Sequence, residues 1–107
     1  MWEISAKLYR EAVNLSGLFD LKGKSMLYTS ANGYMFSQLN KAGQVGIRLS
    51  KEDRQEFYSL YPNDPFESYG AIMKQHVLVP SSLLEDTVQL SQWLNKGFQY
   101  VNTLKSK

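Results

Sequence analysis

Apolar residues recur at helical spacing at the start of the chain. Trp2, Ala6, Tyr9 and Val13 form a stripe, Leu8 and Ala12 widen it, and Glu3, Lys7, Arg10 and Glu11 fill the remaining arc. That pattern predicts an amphipathic helix, which Ser16-Gly17 stops. Leu18 to Leu21 is a short apolar run whose state the pattern leaves open. From Met26 to Leu49 the period changes, and the stretch reads as three consecutive antiparallel strands. Asn32-Gly33 is a strong two-residue hairpin signal, because both turn positions need positive φ. The second turn, Asn40-Lys41-Ala42-Gly43, is longer and places Gly where a left-handed residue fits.

These loop lengths imply a register. A two-residue Asn32-Gly33 loop sets Ala31 opposite Tyr34, Thr29 opposite Phe36 and Leu27 opposite Gln38. The longer second loop sets Phe36 opposite Ile47, Tyr34 opposite Leu49 and Gln38 opposite Val45. One face then carries Leu27, Ala31, Tyr34, Phe36, Val45, Ile47 and Leu49, with Thr29 and Gln38 as its polar members, and must be covered. The other face carries Met26, Tyr28, Ser30, Met35, Ser37, Leu39, Gln44, Gly46 and Arg48. It is half apolar, more than a solvated face requires. A one-residue slip would exchange the two faces.

After the strands, Ser50 is placed to cap a helix, with Asp53 in the capping-box position and Phe57, Leu60 and Tyr61 on its apolar side. Pro62 ends it, and Asn63-Asp64-Pro65 is a turn signal. Residues 66–79 read as a second strand region, broken or bulged near Gly70-Ala71, with His76-Val77-Leu78-Val79 its most strand-like run. Pro80-Ser81-Ser82 opens the last helical section, Leu83-Leu84 forming a short first turn before an Asp86/Gln89 capping box. Leu90, Trp93, Leu94, Gly97, Val101 and Leu104 make one long stripe, so this helix is the expected main cover of the sheet. Gly97 inside it implies close approach to another element, since Gly lowers helix propensity by about 1 kcal/mol against Ala. Lys105-Ser106-Lys107 reads as a fraying tail.

The predicted fold class is α+β: a single domain over 1–107, two-layer, with an antiparallel sheet and helices packed on one face. The order is helix, three strands, helix, two strands (or one bent pair) and a long C-terminal helix. If every helix covers one face, the second face stays open, and Met26, Tyr28, Met35 and Leu39 are exposed or meet a partner.

Length and composition narrow the class. With 107 residues, 43% hydrophobic and 21% charged, one globular core is the natural expectation. A net charge of +2 is too mild to imply nucleic acid by itself. The absence of cysteine excludes disulfides, thiolate metal sites and a cysteine nucleophile. Trp2-Glu3-Ile4-Ser5-Ala6-Lys7 is charged from the start and resembles no signal peptide, and no apolar run reaches the roughly 18 residues of a membrane span. A cytoplasmic protein without membrane contact is expected.

Candidate chemistry is sparse. Gly23-Lys24-Ser25 imitates the end of a phosphate-binding loop, but Leu18 stands where that motif needs its first glycine, and a strand rather than a helix follows. His76 is the single histidine, with no orienting carboxylate or nucleophile signalled beside it. One histidine without cysteines makes a poor zinc site. Glu52-Asp53 and Glu85-Asp86 are acid pairs at predicted helix starts, where the helix dipole accounts for them. Lys22, Lys24, Lys41, Arg48, Lys51 and Arg54 make the first half locally basic, with Tyr28 and Tyr34 among them, while Glu52 and Asp53 dilute that charge. No catalytic residue, cofactor or metal is expected. Arg48 is singled out because a mid-strand arginine on a half-apolar face can pair across an interface.

Two stretches resemble a known family. Ser30-Ala31-Asn32-Gly33-Tyr34-Met35-Phe36-Ser37, running on through Ile47-Arg48-Leu49 and Glu52-Asp53-Arg54 to Phe57, is similar to the first half of the TfoX N-terminal domain. So is Tyr69-Gly70-Ala71-Ile72-Met73-Lys74-Gln75-His76-Val77-Leu78-Val79-Pro80, with Leu83-Leu84 and Tyr100-Val101. The resemblance runs from about Gly23 to Leu104 and consists of structural positions. It implies a small two-layer α+β domain like that of the TfoX or Sxy competence regulators, which promote transcription of DNA-uptake genes. It carries no catalytic signature, His76 stands where the family often has an aromatic, and a stand-alone first domain without the regulators' second domain is expected.

The leading reading is a non-catalytic protein-binding module, with a homodimer as one form of the association. It would use the open sheet face through Met26, Tyr28, Met35, Leu39 and Arg48. A nucleic-acid binder using the basic first half is the second reading. An enzyme without a recognisable motif, with a pocket around His76, is the third.

Overall fold

The computed structural model of the protein describes residues 2–106. Helix α1 (Trp2–Ser16) precedes strands β1 (Tyr28–Ala31), β2 (Tyr34–Leu39) and β3 (Val45–Arg48) and helix α2 (Lys51–Leu60). Short strands β4 (Glu67–Ser68) and β5 (Ala71–Ile72), strand β6 (His76–Leu78), the helical turn α3 (Ser81–Leu84) and the long helix α4 (Thr87–Asn102) follow. The main sheet has the order β1-β2-β3-β6 with every pair antiparallel, and β4 and β5 form a separate hairpin. The class is α+β, as the pattern of elements predicts. Helices α1 and α4 pack on each other and against the sheet, α4 reaching β1, β2 and β3. Helix α2 joins them through Phe57, whose ring lies edge-on to Trp93 at 5.1 Å.

The local signals act as expected. Asn32 and Gly33 both sit in the left-handed region, with φ of 56° and 83°, as the two-residue hairpin turn demands. The Ser50 hydroxyl accepts the Asp53 amide at 3.1 Å, and the Asp86 carboxylate accepts that of Gln89 at 3.2 Å. Asn32 has a second task. Its side-chain amide donates to the carbonyls of Val101 and Leu104 at 2.9 and 2.8 Å, satisfying the end of α4.

The register departs from the simple hairpin count. Ala31 pairs with Tyr34 and Ser30 with Met35, but Thr29 then pairs with Ser37, leaving Phe36 as an extra residue on β2. This β-bulge advances the rest of β2 by one position and exchanges the faces of Ser37, Gln38 and Leu39, while Leu27, Val45, Ile47 and Leu49 stay in the core as expected. Ser37 now pairs with Ile47 and Leu39 with Val45. Ser37 and Leu39, expected on the uncovered face, are buried on the helix side, Leu39 within the main core at 1% exposure. Gln38, expected in that core, turns the other way and accepts a buried hydrogen bond from the Ser68 hydroxyl at 2.6 Å. Phe36 stays with the helices, edge-on to Phe19 at 4.9 Å and 5.9 Å from Phe98.

The bulge also assembles a buried polar contact. The Tyr9 hydroxyl lies 2.5 Å from Ser37 Oγ, which lies 2.5 Å from Thr29 Oγ1. Tyr9 is wholly buried, and that burial pushes its phenol well above the usual range despite its hydroxyl partners, so it stays neutral and hydrogen-bonds. Each hydroxyl of the trio is thereby satisfied where water cannot reach.

The second sheet face is not left open. The chain after α2 folds back over it, and only β6 of the predicted strand region joins the main sheet. Phe66 lies directly on Gly46, where an added Cβ would come within 2.4 Å of its ring, and stacks on His76 at 5.9 Å. The Asn40 side-chain amide donates to the Glu67 carbonyl at 2.8 Å, tying β4 to the β2–β3 turn.

Gly97 explains how closely α4 sits on the sheet. A Cβ there would approach the Arg48 carbonyl oxygen to 2.9 Å, Ile47 Cγ2 to 3.1 Å and Phe36 Cδ2 to 3.2 Å. Gly97→Ala gains about 1 kcal/mol of helix propensity but forces apart a backbone contact, and a net loss of about 1–3 kcal/mol is expected. Chemical denaturation of both proteins checks this; an equal or more stable variant contradicts the packing account.

Candidate functional site

A groove of about 620 Å³ lies between the loop before β1, the β2–β3 turn and the β4–β5 hairpin. Its floor and walls include Met26, Asn40, Lys41, Ala42, Gln44, Glu67, Ser68 and Tyr69. Asn40 holds the turn together: its side-chain oxygen accepts the Gln44 amide at 2.8 Å, while its amide group reaches Gln44 Oε1 at 3.1 Å as well as Glu67. The hairpin wall is therefore fixed by Phe66 on Gly46, Ser68 on Gln38 and Glu67 on Asn40.

At the tip of that wall stands Tyr69. It is 79% exposed, and its φ of 56° lies in the left-handed region, followed by Gly70 at 74°. The equivalent turn position between β1 and β2 holds Asn32, a residue that tolerates this geometry. Tyrosine does not, and holding it there costs about 1–2 kcal/mol. Its hydroxyl contacts the Met26 sulfur across the groove. Ile72, on the same hairpin, is 54% exposed.

The residues singled out by sequence separate in space. Met26 lines the groove, half-buried. Leu39 borders it too, but its burial in the core removes it from any exposed surface, correcting the expectation. Tyr28 is half-buried beside the Lys22 bridge that covers the edge of β1, and Met35 pairs with Ser30. Neither lines the groove. Arg48 belongs to a second place, opposite His76 across β3 and β6. Tyr69 was missed because residues 66–79 read as one interrupted strand region; the signal was a residue-Gly pair between two short runs, the same form as Asn32-Gly33.

The basic residues of the first half are spread over the loop before β1, the β2–β3 turn, β3 and α2. Lys22 donates to the Ser30 hydroxyl at 2.8 Å and Arg54 to the Leu49 carbonyl at 2.7 Å. No group of acids and histidine that could hold a metal ion occurs among the described residues, and no helix there is long and apolar enough to cross a membrane. No family model and no curated protein matches the chain.

His76 is 8% exposed and lies between the Phe66 ring and Arg48. Burial, reinforced by the Arg48 charge, lowers its pKa from 6.5 to about 4. The unfolded chain therefore binds this proton between those values while the folded chain does not. Stability is complete above about 6.5 and falls as the pH drops toward about 4, by roughly 3 kcal/mol in total. His76→Phe should flatten that part of the acid limb relative to wild type. Unfolding free energies of both proteins from neutral pH down to about 4 test it; parallel curves would exclude His76 as the source.

Proposed function

We propose that this chain is a non-catalytic protein-interaction or regulatory module, as its resemblance to the TfoX N-terminal domain implies, working in the cytoplasm. The Tyr69 wall carries this reading. A large aromatic held exposed in a backbone conformation that disfavours it, on a hairpin clamped at three points, is kept for what it touches rather than for the fold. Beside it, Met26 supplies an adaptable apolar surface, and Lys41 and Glu67 supply a polar rim. The groove lining includes no histidine and no hydroxyl bonded to a basic group, which suits recognition better than acid–base chemistry. The partner is a protein, with self-association through the same wall as one form.

Tyr69→Asn separates fold from function. It relieves the turn and should raise stability by about 0.5–1 kcal/mol, while weakening association. Light scattering across a concentration range, together with capture experiments using wild type, Tyr69→Asn and Met26→Lys as baits, tests this. Wild type should either self-associate or retain a protein that both variants lose. A monomer whose captured proteins are the same for all three baits contradicts the proposal.

A further inference from the structure

We propose that Arg48, supported by His76, Tyr34 and Tyr100, forms a binding site for an oxyanion, either a carboxylate or a phosphate group. This site is separate from the groove and does not depend on it. Arg48 and His76 are direct cross-strand partners. The guanidinium carbon lies over two rings, 5.3 Å from the centre of Tyr34 on β2 and 5.9 Å from that of Tyr100 on α4. The rings hold the cation in place through their faces but satisfy none of its in-plane N–H donors.

Those donors lack protein partners of the right charge. Arg48 Nε is buried without a hydrogen bond, and so is Nε2 of His76. No carboxylate lies within ion-pair distance of Arg48 among the described residues; Asp53 and Glu56, the acids nearest in sequence that do form ion pairs, hold Lys96 instead. A half-buried arginine without an anion is an unusual arrangement, because desolvating a charge is unfavourable unless it is paired. With Nε turned inward, the terminal Nη1 and Nη2 groups remain for a ligand. Their parallel N–H bonds match the spacing of two oxygens on one carboxylate or phosphate. The neighbouring imidazole responds to the same charge: Arg48 disfavours its protonated form, and a bound anion would offset that effect.

The test is a titration of isotope-labelled protein with sodium phosphate and, separately, sodium acetate, against sodium chloride at equal ionic strength. The Arg48 Nε–H resonance and the imidazole ring C–H resonances of His76 are followed by NMR. The expected result is a saturable shift at both residues with at least one oxyanion, a rise in the His76 pKa on saturation, and no saturable response to chloride. Phosphate and acetate arms show which anion is preferred. Arg48→Gln should abolish the saturable shift at His76. Arg48→Lys keeps the charge without the planar fork and should weaken binding about tenfold, which decides the matter if the Gln variant does not fold. Shifts that are linear and equal for all three salts, or a saturable His76 shift that survives removal of the guanidinium, would overturn the site and show that Arg48 only packs on the tyrosines.

Discussion

The bulge at Phe36 is the constraint on which the sheet depends. One extra residue on β2 places Phe36 and Ser37 both toward the helices, then restores alternation with Leu39 inward and Gln38 outward. Phe36 thereby reaches Phe19 and Phe98, while Ser37 reaches Tyr9. Without the extra residue, Ser37 and Leu39 would face away from α1 and α4, and the glutamine would enter a core with no partner waiting for it.

The sheet is gripped from both sides where side chains are missing. Gly97 lets α4 approach the backbone of β3, and Gly46 lets Phe66 lie flat on β3 from the opposite side. Both contacts bear on the same short strand. Its central residue, Ile47, is wholly buried, and its last residue, Arg48, emerges between tyrosines of β2 and α4. The position of that cation follows from packing the strand tightly on both faces.

Much of this was legible in the sequence. The 3.6-residue stripes of Trp2–Val13 and Leu90–Leu104, the capping residues Ser50 and Asp86 and the turn at Asn32-Gly33 are local signals, and local signals fix local structure. The bulge is not local. Phe36-Ser37-Gln38-Leu39 alternates acceptably in either register, and the choice lies with Tyr9 and Ser68, which are distant in sequence. The cover on the second face was hidden for the same reason, since nothing near Phe66 announces that Gly46 will receive it. Of the candidate site, Met26 and Arg48 were found by their unusual places in the strand pattern. Tyr69 escaped because its strain is a property of backbone angles rather than of composition.

Asn32 has a consequence for how the domain comes apart. Its backbone makes the left-handed turn between β1 and β2, and its amide group closes the end of α4. Glycine would keep the turn and lose the closure. Aspartate would keep the turn and set a carboxylate against two carbonyl oxygens. The tip of the hairpin and the last turn of the helix therefore share one residue that meets both demands. Fraying of either end exposes the other, so the two behave as a single cooperative unit, and their amides are expected to exchange with solvent together.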